Sequence, residues 1–362
     1  MEIGIIGLPN SGKTTVFNAL TRGREETAAY SAAHMEVHTA AVQVPDERLD
    51  RLAEMYRPKK VTHAQVVYKD IAGLTRGIGE AGGLAGPLLN EIGNNDALLH
   101  VVRAFEDENV LHPEGSIDPA RDIATVETEL MLNDMTVITT RLERIAQRVG
   151  KGGDPREVAA LKQERALLER LLAELEAERP LREVPLSPEE EKALRGFNFL
   201  SQKPMLIVLN IGDEDDPGIA EEMPVAGERI KVTALRGKLE AELAQMEPEE
   251  AADFMAEFGI EELGLSRVIH LSYDLLQVHS FFTVGEDEVR AWTLPVGGTA
   301  LDAAATIHTD LARGFIRAEV VAFADLMAAG SLAEARKRAT LRLEGKDYVV
   351  QDGEIVHIRF NV

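Results

Sequence analysis

Short, mostly apolar runs recur through the first 120 residues and again near residue 205: Ile3 to Ile6, Ala64 to Tyr68, Ala97 to Val102 and Met205 to Leu209. Runs of this length, bounded by Gly, Pro or polar clusters, predict strands covered on both faces, as in a parallel sheet. The first, Glu2-Ile3-Gly4-Ile5-Ile6, stops at Gly7 and Pro9, and helix-compatible sequence follows from Lys13 to Leu20. That order predicts the strand, loop and helix that open a βαβ unit.

Between the third and fourth runs the rhythm changes. Met131, Met135, Ile138, Leu142 and Ile145 recur at alternating spacings of four and three, which is a heptad seam. After the breaker Gly152-Gly153-Asp154-Pro155, the residues Val158, Leu161, Leu168, Leu172 and Leu175 continue it, with an interruption where the seam falls on Arg165. The pattern predicts an antiparallel helical hairpin over about 122–178, two helices packing on each other as an arm rather than a dimerising coiled coil. From Phe281 the texture turns to short β-like segments, Val289 to Leu294, Tyr348 to Val350 and Ile355 to Phe360, around a helical stretch Leu301 to Arg313. The fold class is therefore α/β: a parallel-sheet α/β domain over 1–121 and 197–280, a helical coiled-coil hairpin insertion over 122–196, and an α+β module over 281–362.

A formal charge of −23 excludes broad electrostatic attraction to nucleic acid or anionic lipid, so any RNA contact is local. Without cysteine there is no disulfide framework or thiolate chemistry. Met1 to Gly7 has no basic leader and no run of 18 apolar residues occurs, so the expectation is a cytoplasmic protein with no membrane span, and a monomer is expected besides.

Gly7-Leu8-Pro9-Asn10-Ser11-Gly12-Lys13-Thr14 matches GxxxxGK[ST] between a buried strand and a helix, which makes the domain over 1–121 and 197–280 an expected P-loop NTPase (Ras-like) domain. The backbone of Asn10, Ser11 and Gly12 is expected to cradle phosphates, Lys13 to reach the β- and γ-phosphates, Thr15 to join the nucleotide contacts, and Thr14 to ligate Mg²⁺. Asp70-Ile71-Ala72-Gly73 supplies the DxxG element, with Asp70 on Mg²⁺ and the Gly73 amide sensing the γ-phosphate; Leu74 stands where many GTPases carry the water-orienting Gln. Gly77, Gly79, Gly82, Gly83 and Gly86 follow as an expected switch segment. Asn210-Ile211-Gly212-Asp213 takes the place of the base-reading NKxD motif without its lysine, and Thr233-Ala234 takes the place of the last loop around the base.

GLPNSGKTT at Gly7 to Thr15, DIAGL at Asp70 to Leu74 and RAFED at Arg103 to Asp107 together resemble the YchF, or Obg-like ATPase, family. The segments Glu288 to Thr293, Ile307 to Asp310, Gly314 to Ala318 and Glu344 to Tyr348, and the ending Phe360-Asn361-Val362, are similar to that family's TGS domain. The resemblance implies a translation-factor-class NTPase with a ubiquitin-like terminal module, ATP as preferred substrate over GTP, Mg²⁺, and a ribosome or ribosomal subunit as partner, with RNA met through the arm and the module. It implies Asn210 and Ile211 as base contacts, and His112, in the flexible loop after the third strand, as a catalytic group together with Lys13. The family has NxxE where this chain has Asn210 and Asp213, and the switch threonine position is His34, with Thr39 a distant substitute. The expected activity is slow ATP hydrolysis acting as a switch; the alternatives are a GTPase, for which Asp213 would read guanine, and a nucleotide-binding adaptor without turnover.

Overall fold

The computed structural model describes the chain apart from residues 22–27, 33–34, 72–84, 153, 226, 258–259, 261–262 and 362. Contacts divide it into two compact units, Met1–Ala40 with Val67–Val268, and Ala41–Val66 with Ile269–Val362. In chain order the elements begin β1 (Glu2–Ile6), α1 (Lys13–Leu20), β2 (Ala28–Ala32), β3 (Met35–Gln43), α2 (Glu47–Tyr56), β4 (Lys60–Thr62), β5 (Gln65–Asp70), α3 (Ala85–Gly93) and β6 (Ala97–Arg103). There follow α4 (Pro119–Gly150), α5 (Pro155–Glu176), α6 (Pro188–Leu194), β7 (Met205–Asn210), β8 (Ile230–Leu235), α7 (Gly237–Leu243), α8 (Pro248–Glu257) and α9 (Gly264–Leu275). The last are β9 (Val278–Thr283), β10 (Glu288–Pro295), α10 (Ala300–Ile307), α11 (Thr309–Arg313), β11 (Phe315–Ala322), α12 (Phe323–Ala329), α13 (Leu332–Lys337), β12 (Arg342–Glu344) and β13 (Glu354–Phe360).

The first sheet has the order β2-β3-β5-β1-β6-β7-β8. From β5 to β8 its strands are parallel, and β6 and β7 are buried at every residue, as their apolar runs require. Parallel register carries all carboxyl ends to one edge. Ile5 pairs with Asp70, and Arg103 with Asn210, so three motifs far apart in sequence end at the same rim.

The insertion is a helical hairpin. Asp118 caps α4 through the Arg121 amide at 3.1 Å, Asp154 caps α5 through the Arg156 amide at 2.8 Å, and a proline follows each cap. Met131, Ile138, Ile145, Leu168, Leu171 and Leu175 form its buried seam. The seam does not pass through Arg165, which lies outside it and pairs with Glu169. It passes through Glu164, which receives both Arg141 Nε at 2.7 Å and Nη2 at 2.9 Å from the facing helix. Straight helices repeat at 3.6 residues rather than 3.5, and the offset moves the polar position by one residue. Asp134, fully buried, fastens α4 to the turn before β7 by accepting from the Leu200 amide (2.9 Å), the Ser201 amide (2.8 Å) and the Ser201 hydroxyl (2.7 Å).

The second unit is a mixed sheet of order β12-β11-β13-β9-β10-β4. Its core includes Phe281, Leu294, Ala303, Val320 and Val356. The segment Ala41–Val66 belongs to this unit, whereas the sequence places it in the nucleotide domain. The reason is pairing at a distance: β4 runs parallel to β10 with Val61 opposite Val289, and Arg48 ties the start of α2 to Asp352 at 2.7 Å. Two local expectations also change. Leu301 to Arg313 is two helices, broken at His308, whose extended backbone ends one and whose Nδ1 accepts from the Asp310 amide to begin the next. Tyr348 to Val350 is no strand but a single bridge from Val349 to Thr299. Among the described residues no helix is long and apolar enough to cross a membrane.

Candidate nucleotide site

The loop between β1 and α1 turns on Gly7 (φ +152°), Asn10 (φ +64°) and Gly12 (φ +92°). A side chain at Gly7 would strike the Val101 carbonyl, and one at Gly12 would strike Asn210 Nδ2, so both positions need glycine. Gly12 caps α1 with no side-chain partner, and the first turn holds no acidic residue; its amides and dipole end stay available to an anion. Lys13, 9% exposed, curls over the loop and donates to the carbonyls of Gly7 (3.2 Å) and Leu8 (2.9 Å). Burial pushes its ammonium below the ordinary value while the Asp70 charge opposes the shift. A triphosphate is the natural counter-charge for a buried cation whose hydrogen bonds, among the described residues, go to carbonyls.

Asp70 ends β5 and accepts from the Thr14 hydroxyl at 2.9 Å. The two expected metal ligands, separated by 56 residues of chain, are thus in contact. Burial holds the Asp70 carboxyl above the usual carboxylate range; the Thr14 bond and the charges of Lys13 and His38 pull it down. Two hard oxygens completed by phosphate oxygens and water suit Mg²⁺, so the residues fit the ion. His38, on β3 beside Phe17, is a neighbour that sequence reasoning missed, since only strand pairing brings it to Asp70. Thr39 lies inside β3 opposite Ala28 with its hydroxyl buried, a place that serves the strand rather than a metal. Thr15 sits in the first turn of α1, half-buried. His34, Gly73, Leu74 and the glycines from Gly77 to Gly83 lie outside the described residues, while Gly86 falls in the first turn of α3.

At the other side of the loop Asn210, the last residue of β7 and 4% exposed, donates Nδ2 to the Ser11 carbonyl (3.0 Å) and accepts the Gly237 amide on Oδ1 (3.1 Å). It staples the phosphate loop to the start of α7. Ile211 is 2% exposed and sits in the core with Ile6, Leu209 and Ala234, so its side chain has no surface to lay against a base. Thr233 and Ala234 are buried inside β8. The loop after that strand begins at Arg236, because β8 runs in register with β7 as far as Asn210 and Leu235. Asp213 is exposed on the β7 loop, where Asp215 accepts the Gly212 amide at 2.7 Å and Arg236 donates to the Asp215 carbonyl at 3.0 Å.

A model described as "50S ribosome-binding GTPase" matches residues 2–141, and one for the YchF GTPase carboxy-terminal domain, described as a "protein of unknown function (DUF933)", matches residues 278–361. The Ribosome-binding ATPase YchF of Bacillus subtilis is 42% identical over the whole of both chains, and that of Haemophilus ducreyi 44% identical over the whole of this chain and 99% of the other. The chain belongs to the YchF family. The solved structure of the Schizosaccharomyces pombe YchF GTPase, 31% identical, superposes with a TM-score of 0.85 over 99% of this chain and 97% of that one. An α/β P-loop fold with a helical insertion and a separate carboxy-terminal domain is therefore the YchF architecture.

The YchF-type segment Arg103 to Asp107 has a structural purpose that its letters do not announce. Arg103, 3% exposed, donates to the carbonyls of Phe105 (3.2 Å), Val110 (2.9 Å) and Asp107 (3.3 Å) and stacks on the Phe105 ring at 4.6 Å. Asn10 adds a bond from Nδ2 to the Leu111 carbonyl at 3.0 Å. The loop expected to be free is thus held at its stem and tip. Among the described residues His112 has no hydrogen bond or ion pair to Lys13, Thr14 or Asp70. Its side chain, 6% exposed, contacts Asp122 through Nε2 at 2.9 Å, in a crevice lined by Leu8, Pro9, Ser11 and His100.

Proposed function

We propose that this YchF-family chain binds ATP with Mg²⁺, hydrolyses it slowly, and uses its nucleotide state to govern association with a ribosome or ribosomal subunit. The observation that carries the reading is the meeting of Thr14 and Asp70 at 2.9 Å beside the buried ammonium of Lys13, on a helix amino terminus. The relatives' printed name, ribosome-binding ATPase, supports both the chemistry and the partner. RNA contact through the arm and the terminal module, a monomeric state and a cytoplasmic location complete the proposal.

Thr14 and Asp70 would hold Mg²⁺, which would supply positive charge to offset the negative charge of the triphosphate. Lys13 and the first amides of α1 take the phosphate oxygens, and their fixed positions stabilise the charge that moves in the transition state. Gly73 adds the γ-phosphate sensor. His112 orients the attacking water in place of a glutamine. Sites of this kind without an arginine finger turn over at roughly 10⁻⁴ to 10⁻² s⁻¹. The base lies against the loop from Arg236 to Gly237 that Asn210 holds in place, with Asp213 at its edge.

Competition of unlabelled ATP and GTP against a fluorescent ATP analogue in Mg²⁺ tests the substrate. ATP displacing at least tenfold better, about 1.4 kcal/mol, supports the ATPase. GTP displacing better would make Asp213, which is exposed and able to face a guanine edge, the reader of the base and the protein a GTPase. ATP binding with phosphate release no faster than the protein-free background would leave a nucleotide-binding adaptor.

A further inference from the structure

The surroundings of His112 fix more than its position. Its Nδ1 accepts the backbone amide of Glu114 at 3.1 Å. A ring nitrogen that accepts carries no proton, so the proton is on Nε2, which faces Asp122 Oδ2 at 2.9 Å. Asp122 is itself 4% exposed at the side chain, and its other oxygen receives Arg121 Nε at 3.1 Å and Nη2 at 2.8 Å. Arg121 is tied in turn to the Ser116 hydroxyl and carbonyl. Both ring nitrogens are therefore engaged inside the protein. In a hydrolytic dyad the nitrogen opposite the carboxylate faces the reacting group; here it faces the loop's own backbone. The crevice around the ring is too narrow for a water molecule.

Asp122 lies in the first turn of α4, the helix that continues to Gly150 as one half of the arm. We propose that Asp122 is a positioning residue that holds His112 withdrawn beneath the phosphate loop with its proton on Nε2, so that turnover waits on the arm's first turn letting the ring go. This rests on His112 orienting water. A displacement of α4 by a partner lengthens a single charge-assisted contact and frees the one group that replaces the missing glutamine, which couples arm to hydrolysis through Asp122.

The test measures kcat and KM for ATP in the full-length wild type, Asp122→Asn, Asp122→Ala, His112→Ala and the double variant Asp122→Ala/His112→Ala. The amide of Asn keeps a weaker neutral bond and Ala keeps none. The expected order of kcat is Ala above Asn above wild type, with a gain of at least threefold for Ala, KM within twofold throughout, and the gain abolished in the double variant. A kcat for Asp122→Ala at or below wild type overturns the proposal, as does a gain that survives in the double variant. A loss in His112→Ala together with no gain in Asp122→Ala overturns the latch alone and leaves the catalytic reading of His112 standing. Because Asp122→Ala could fail to fold, ¹⁵N spectra of the His112 ring in wild type and the isosteric Asp122→Asn supply a second readout. A slowly exchanging Nε2 proton in wild type that exchanges at least tenfold faster in Asp122→Asn agrees with the latch. An Nδ1-protonated ring in wild type, or exchange unchanged by the substitution, contradicts it.

Discussion

Gly12 shows how tightly one position can bind a site to its support. Its φ of +92° and the amide of Asn210 against its missing Cβ leave no room for a methyl group, so Gly12→Ala is expected to weaken ATP binding by at least about a hundredfold, near 2.7 kcal/mol. Titration of a fluorescent ATP analogue checks this; an affinity within a factor of three of wild type contradicts it. His100 makes a different kind of prediction. It is wholly buried in β6, and neither ring nitrogen has a partner among the described residues. Burial, helped by the charges of Lys13 and Arg182, pushes its pKa down to about 3. An unfolded ring takes its proton near 6.5, so between pH 6.5 and 3 the unfolded chain binds the extra proton. The stability is present above pH 6.5 and is lost as the pH falls toward 3, on the order of a few kcal/mol across the window. His100→Leu removes both that dependence and the orphan nitrogens, and its folded state should gain roughly 1 kcal/mol at pH 7. Urea midpoints at pH 7.5 and 5 decide it: equal losses in variant and wild type would refute the assignment. At this scale the turn of the phosphate loop and the meeting of Thr14 with Asp70 are readable in the sequence because their chemistry is written in adjacent letters. Ile211 and Thr233-Ala234 are not, since whether a residue after a strand faces a ligand or the core depends on where its neighbour's ladder ends.

At the scale of elements, the arm stands on Asp134. Asp134→Ala leaves the amides of Leu200 and Ser201 and the Ser201 hydroxyl buried without their acceptor. Each orphaned donor costs about 1–3 kcal/mol, so a loss of roughly 3 kcal/mol or more is expected, seen as faster amide exchange along α4 near Asp134 and around Ser201. Exchange unchanged at Ser201 would show that the aspartate is not the anchor. The hairpin itself is readable from its apolar spacing, and its breaker sits where predicted. The departure at Arg165 is one of phase: a heptad template keeps the seam on 3.5 residues per turn, and the helix selects Glu164, which Arg141 can reach. The division at His308 follows from a capping bond two residues long, which a period-based reading averages away.

Over the whole molecule, the family, the α/β class and the helical insertion follow from sequence, whereas the membership of Ala41–Val66 does not. Nothing in Lys60-Val61-Thr62 names Val289 as its neighbour; the choice is made by a pairing across 228 residues of chain. A fragment spanning 269–362 therefore ends its sheet at β10, with the edge that β4 covers exposed. It is expected to be less stable than the same unit in the full chain by several kcal/mol and to self-associate. Supplying a peptide spanning 41–66 should raise its melting temperature. A monomeric fragment that melts like the full-length unit would refute this.

The same arrangement bears on synthesis. Leu49 and Leu52 of α2 are fully buried in the finished protein, yet they leave the synthetic machinery more than 200 residues before β9 and β10 exist. For most of its elongation the nascent chain carries an apolar helix face and a lone strand with no sheet to join. The nucleotide fold can condense first around its parallel strands, while the second unit closes only when translation is almost over, the slow, non-local kind of closure that makes long-range pairing rate-limiting. A chaperone that shields residues 41–66 would find its substrate at the beginning of the message and be dismissed at its end.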